Sequence, residues 1–393
     1  MKDHIQRIFT TTDWRPLRPL RDWVISQGMA VQSIPAPTFA EAERADYVEE
    51  QFHAFGLTNV DQDDLHNVYG LLPGLNRSVP ALLVTAHTDT VFAAETDLTL
   101  KREDDVIYGP GLGDNSMGVA GLMGLIKWLV DHRITPECDI WFVATVGEEG
   151  LGDLRGMRAA FERLKKSIGA VVNLEGLAYG FVYNAGIAVH RVKISASAGG
   201  GHSWVHYGRE SALHALVQLA SHITHLNLPA SPRTSLNIGM IEGGQAINAI
   251  ASSAHFWLDM RSESQIELDR LKGHIHQLVN ISNTEEVQFS IEVVGDRPAG
   301  QISVRHPLIE GSIAALDLLG VKAGLEKGST DGNVPLSVGC PTVTIGITRG
   351  ANAHRLDEYI EPQPVMDGMQ QLIMICLGTT AYLQEQYEEA AGD

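Results

Sequence analysis

The sequence predicts an α/β fold in two parts: a mostly parallel sheet with helices on both faces, and an inserted split-βαβ (ferredoxin-like) domain. Three observations carry this expectation. Short, wholly apolar segments such as ALLVTA at 81–86 and DIWFVATV at 139–146 alternate with stretches of helical periodicity. Unbroken apolar strands separated by helices are what a parallel sheet buried on both faces requires. Between 187 and 297 the texture changes to alternating strands in a β-α-β-β-α-β order, that of a split βαβ sandwich. The third observation is length: 393 residues exceed what one ordinary core organises, so two domains are expected.

Taken in order, 40–55 reads as an amphipathic helix and 81–86 as a short buried strand. The segment 116–132 carries Leu122, Leu125, Trp128 and Leu129 at helical spacing, and 139–146 and 170–174 (AVVNL) are further buried strands. Then follow an alternating strand at 189–198, a helix at 210–226, strands at 235–241 and 254–260, a helix at 263–281 and a strand at 287–294. After Arg297 and Pro298 the buried texture returns, with a helix at 306–319, a strand at 341–346 and a last helix from about 364. The expected organisation is one domain of 1–186 and 298–393, interrupted by a lid of 187–297. No internal repeat or low-complexity tract breaks this pattern.

Composition narrows the function classes. Hydrophobic residues make up 44% and charged residues 20%, as in soluble globular proteins. The formal net charge of −19, from 48 acidic against 29 basic side chains, repels nucleic acid and anionic lipid, so neither is expected as a partner. Cys138, Cys340 and Cys376 lie far apart without CxxC spacing, which suggests reduced thiols. The opening MKDHIQRIFTTTDWRPL lacks the apolar run of a signal peptide, and no stretch approaches a membrane span. A cytoplasmic location is expected.

Five segments place acids or histidines where buried strands end, the positions at which open α/β sheets bind ligands. AHTDT puts His87 and Asp89 directly after ALLVTA, a spacing that suits a metal ligand and the group that orients it. GPGLGDNSMG presents Asp114 before a helix, where taken alone it reads as an N-cap. VGEEG holds Glu148 and Glu149 after a buried strand, and adjacent carboxylates there repel unless cations or protons intervene. Glu175 ends AVVNLE and taken alone reads equally well as a ligand or an ordinary loop acid; ANAHRLDEYI adds His354. His206, His222, His225, His274 and His276 are read as structural or exposed. In conjunction, two histidines and three carboxylates suffice for two zinc ions that share one bridging carboxylate and leave positions for water and substrate.

These segments belong to a longer series: AHTDT, GLGDN, GEEG, LEG, GGGHSW, INAIA, DMRS, DRPAG, STDGN and HRLDEYI, in that order. The series resembles the dinuclear-zinc exopeptidase and deacylase family that includes carboxypeptidase G, peptidase T and aminoacylase, from about Asp22 to the C-terminal helix. The resemblance implies a zinc-exopeptidase catalytic domain and a lid that serves as dimerisation domain. It implies two Zn2+ per chain (Co2+ or Mn2+ being possible): His87, Asp114 and Glu175 for one, Asp114, Glu149 and His354 for the other. Asp89 would orient His87, and Glu148 would be the general base. His202 would reach the partner subunit's active site in a homodimer and polarise the scissile carbonyl. Asn248, Arg261 and Arg297 match positions that contact a substrate carboxylate or the transition state. The sequence departs from the family at Glu175, where many members have Asp, and at Ala251, where Pro commonly follows the NxI motif.

The activity so implied is hydrolysis of an amide bond in short peptides or N-acyl amino acids bearing a free carboxylate, of exopeptidase, carboxypeptidase or di/tripeptidase type. An N-acyl-amino-acid deacylase is the alternative of the same chemistry. An inactive zinc-binding scaffold is the non-enzyme alternative, against which the intact Glu148 argues. Absence of HExxH disfavours a mononuclear aminopeptidase.

Overall fold

The structure, a computed structural model, describes residues 1–392. The chain divides into two compact units, Met1–Gly186 with everything from Gly300 onward, and Ile187–Ala299. The strand Val287–Arg297 runs three residues past the sequence expectation, so Arg297 is strand and the smaller unit closes at Ala299.

In the larger unit, four strands lie side by side and parallel: Ile140–Thr145, Ala81–His87, Ile168–Glu175 and Thr342–Gly346. Both faces are buried. Leu82, Val84, Phe142, Val172 and Ile345 lie in one core and Leu83, Val143 and Val171 in another, each of them stabilising the fold by about 1.5–3 kcal/mol. Helix Met117–Asp131 is buried along most of its length, and its Trp128 ring stacks between Trp14 and His132. The sheet is longer than the sequence expectation. An antiparallel hairpin, Thr58–Gln62 with Val68–Leu72, flanks one side. Phe181–Gly186 runs antiparallel on the other, with Gly300–Gln301 and Gly324–Gly328 beyond it. A separate small sheet joins Lys101–Glu103, Val106–Tyr108, Tyr359–Glu361 and Arg349–Ala351. These additions are strands of two to six residues, too short for a period-2 pattern to declare itself.

The smaller unit is a four-stranded antiparallel sheet in the order Thr234–Gly243, Ser253–Ser262, Ala188–Ala198, Val287–Arg297. Helices Ala212–Thr224 and Gln265–Ile281 pack on one face, burying Leu216, Leu219, Leu268, Leu271 and Ile275 against Ile194, Phe256 and Leu258. The buried-and-open alternation along Ser253–Ser262 is the period of a sheet with one face covered. This is the split βαβ arrangement. Among the described residues, no helix is long and apolar enough to cross a membrane.

Candidate metal centre

Parallel strands deliver their last residues to one edge of the sheet, and the side chains of interest leave from that edge. His87 and Glu175 are each the final residue of a strand; Thr145, paired with His87, ends the strand that leads to Glu148 and Glu149. Asp114 comes from the wide turn Leu112–Ser116, which opens helix Met117–Asp131. Gly111 precedes that turn at φ +71°, a conformation that a side chain disfavours. The Asp114–Asn115 peptide is cis. His354 lies at φ +67°, uncommon for a residue with a Cβ and a mark of a position the surroundings enforce.

Asp114 stands between the two histidines. His87 Nε2 is 3.2 Å from its Oδ1, and His354 Nε2 is 3.1 Å from its Oδ2. Glu175 Oε2 lies 3.6 Å from His87 Nε2, and Glu149 Oε1 lies 2.8 Å from His354 Nε2. Ligand atoms of His87, Asp114 and Glu149 all fall within 4.8 Å of one another. The two ends differ in access, with the His87 side chain 2% exposed and that of His354 52%.

The electrostatics follow from three carboxylates facing two imidazoles. Burial opposes the charged imidazole of His87, yet hydrogen bonds with Asp114, Asp89 and Glu175 outweigh it and hold the group well above its ordinary value. His354 is lifted to about 10 by Asp114 and Glu149. Burial opposes the Asp114 carboxylate, but His354 and His87 hold its pKa below the usual range. Burial, with the charges of Asp114 and Glu149, raises Glu175. His87 Nδ1 lies 3.2 Å from the Asp89 carbonyl, which leaves Nε2 to face carboxylate oxygens. Once the two imidazoles are neutral, their Nε2 atoms and the carboxylate oxygens are acceptors converging on acceptors, an arrangement that demands a positive charge between them. A divalent cation supplies it, so the donor set fits a metal.

The surroundings hold these groups in place. Asp89 is fully buried and does more than face His87. Its Oδ1 accepts the Glu148 N–H and its Oδ2 the Glu149 N–H, both at 2.9 Å, while Thr38 donates to Oδ2 at 2.9 Å. One carboxylate therefore couples the His87 strand to the turn bearing both glutamates. Just before that turn, Gly147 sits at φ +63° and donates its N–H to Glu41, whose carboxylate also receives Arg155. Asn115 joins the Asp114 turn to Glu175: its Nδ2 donates to the Leu174 carbonyl and its Oδ1 accepts the Gly176 N–H, each at 2.8 Å.

The sequence reading did not single out Asn115, Glu41, Asp331 or Glu358. Asp331 is fully buried, accepts the Thr145 hydroxyl and is pushed by burial up to about 7, as is Glu358. Only their place inside GLGDN, STDGN and HRLDEYI could have pointed to three of them.

The remaining expected residues lie in the smaller unit. His202 and Asn248 are exposed and adjacent on a two-residue ribbon, Gly201–His202 against Ala249–Ile250, with the Ser203 N–H donating to the Asn248 carbonyl. His202 Nδ1 accepts the Trp204 N–H at 3.2 Å, which leaves Nε2 as the outward donor. His206, read as structural, accepts the His202 N–H through Nδ1. Trp204, Val205, Tyr207 and Ile247 around this ribbon are strongly exposed. Arg261 is exposed and engaged by Asp259 at 2.8 Å. Arg297, expected to contact a substrate carboxylate, is buried at the end of its strand. The neighbouring Asp296 accepts from His190 and Lys272, both at 2.8 Å. Arg261 and Arg297 stand opposite the same residue, Val189, on the strands either side of it.

The model of Peptidase family M20/M25/M40 matches residues 83–376. The acetylornithine deacetylase of Photorhabdus laumondii subsp. laumondii is 27% identical over 319 residues, 75% of this chain and 78% of that protein. The fold is similar to that of a Staphylococcus aureus tripeptidase, with a TM-score of 0.77, 20% identity, and coverage of 92% of this chain and 99% of the other. It is similar also to a Bacillus subtilis protein described as a dinuclear metal binding peptidase from the M20 family, with a TM-score of 0.69, 15% identity, and coverage of 93% and 99%.

Proposed function

The chain belongs to peptidase family M20/M25/M40 and is a hydrolase, and from that premise we propose that it cleaves an amide bond in a short peptide or an N-acyl amino acid bearing a free carboxylate. The observation that carries the proposal is Asp114, whose two oxygens face two imidazoles from opposite sides. On this reading His87 and Glu175 would hold one divalent ion, Glu149 and His354 would hold a second, and Asp114 would serve both. Zinc is the expected metal, with Co2+ or Mn2+ as substitutes. Such ions, when bound, polarise a carbonyl and acidify water.

The chain's own groups do the rest. Glu148, beside a ligand and turned by its N–H bond to Asp89, takes the proton of the attacking water and returns it to the leaving amine. Asp89 orients His87. The outward Nε2–H of His202 steadies the oxyanion. Arg297 presents a planar fork for a substrate carboxylate, and Arg261 and Asn248 assist in holding the substrate. The smaller unit is read as a lid that pairs two chains. Its exposed aromatic and aliphatic residues around His202 give that surface something to bury, and His202 would serve the partner's site. Three free thiols, two of them buried, accord with a cytoplasmic location.

An N-acyl-amino-acid deacylase is the second reading, favoured by the acetylornithine deacetylase relatives. Turnover by metal-loaded protein of matched N-acetyl amino acids, dipeptides and tripeptides, each as free acid and as amide, tests the proposal. Hydrolysis confined to free acids is expected. Equal rates on the amides would overturn the carboxylate requirement, and no turnover of any substrate beside intact metal binding would favour an inactive scaffold.

A further inference from the structure

The turn that carries Asp114 has few side chains of its own to hold it. Gly111, Leu112 and Gly113 lead into it, and two of these three are glycines. Asn115 and Ser116 brace its far side, through the Leu174 carbonyl, the Gly176 N–H and the Gly111 carbonyl; its leading side is held by a carboxylate from 245 residues further along the chain. Glu358 is fully buried; its Oε2 accepts the Gly111 N–H at 3.1 Å, and its Oε1 accepts the Gly113 N–H at 2.6 Å and the Asp114 N–H at 2.9 Å. Three backbone donors within four residues, converging on one anion, form a nest. Such charge-assisted bonds are shorter and stronger than neutral ones.

The same residue is fastened at its own end. The Glu358 carbonyl accepts the Gly109 N–H at 2.9 Å, and the next residue, Tyr359, pairs with Tyr108 in the small sheet. Glu358 also lies four residues after His354, and its N–H closes the intervening turn on the Arg355 carbonyl at 3.1 Å. One carboxylate thus ties the segment bearing Asp114 to the segment bearing His354. An acid is needed because every facing group is a donor. A glutamine would turn its NH2 toward one of them.

We propose that Glu358 is a positioning residue: it clamps the Gly111–Asp114 turn so that Asp114 presents its two oxygens to His87 and His354 at once. The inference rests on the metal reading of the site. Glu358 touches neither substrate nor ion and acts through Asp114.

The test compares wild type with Glu358→Gln, and with Asp105→Asn as a control that removes an exposed charge from the turn between Lys101–Glu103 and Val106–Tyr108. Metal-free proteins are titrated with Co2+ alone, followed by the visible ligand-field bands and by competition with a chromophoric chelator. Glu358→Gln is expected to lose about 10–100-fold in Co2+ affinity and to show altered band intensities, with Asp105→Asn matching wild type. A Glu358→Gln protein with a lower metal-free Tm but wild-type affinity and bands would show a merely structural role and overturn the proposal. If Glu358→Gln does not fold, Glu358→Asp, which keeps the charge but falls one methylene short, carries the same comparison with the same two outcomes. Wild type that binds no Co2+ would overturn the metal reading and this proposal together, whereas wild-type binding with an unaltered variant overturns the clamp alone.

Discussion

His87 and His354 turn the same nitrogen toward the same carboxylate from very different surroundings. His87 ends a central strand, is almost wholly buried, and leans on Asp89, which is itself braced by three hydrogen bonds. His354 sits on a left-handed residue in a loop, half open, with Asp114 and Glu149 as its polar partners. The difference teaches how one site can combine a fixed end and an accessible end. Desolvation strengthens every electrostatic contact at the His87 end, whereas water and substrate can approach the His354 end.

The largest effect should come from erasing what the two ends share. Asp114→Ala should release both ions and abolish measurable turnover; retention of one tight ion in elemental analysis would mean that the ends are independent. Next comes Glu148→Gln, which should keep both ions and lose about 10²–10⁴-fold in kcat. A rate within a few-fold of wild type would assign the proton transfer to another group. Arg297→Ala sharpens the comparison from the substrate side. A lost charge-assisted contact of about 1.5–3 kcal/mol corresponds to on the order of 10–100-fold in kcat/KM. That penalty should appear on free-acid substrates and nearly vanish on their amides, and equal penalties would show that buried Arg297 supports the strand and not substrate choice.

The smallest effect is a dependence on pH. His354 is raised from 6.5 to about 10 by its carboxylates in the metal-free protein. A pKa raised by folding contributes stability that is complete below the unfolded value and is lost as pH rises through the folded one. The Tm of metal-free protein should therefore decline between pH 6.5 and about 10, and bound cations, replacing the proton, should flatten the profile. Parallel profiles with and without metal would break the link between the His354 end and cation binding.

How much of this was legible depended on the kind of residue. His87, Glu149 and Glu175 were singled out as candidates because ALLVTA, DIWFVATV and AVVNL are apolar strands that must end in polar groups, and for His87 and Glu175 the signal was weak until the segments were taken together. The parallel core and the β-α-β-β-α-β order of the smaller unit follow from the same periodicities. Asp114 alone was ambiguous with an N-cap, and only the other segments settled its interest. The braces were invisible. Glu41, Asn115 and Glu358 act on backbone N–H and C=O groups, and a sequence does not show which backbone a distant carboxylate will meet. The last strand of the smaller unit was read to stop at 294, before Arg297 and Pro298, but pairing with Val189 keeps Arg297 in the strand. The small flanking strands, such as Gly324–Gly328 and Tyr359–Glu361, form because neighbouring edges accept them, a tertiary cause that local pattern does not carry.

The central claim is a site with two cations sharing Asp114. Its most direct test is anomalous diffraction from crystals of zinc-loaded wild-type protein, with elemental analysis of the same preparation. The account predicts two zinc ions per chain, one beside His87 and Glu175, the other beside His354 and Glu149, with one Asp114 oxygen on each. A single saturating ion, or two ions of which one leaves Asp114 uncontacted, would contradict it.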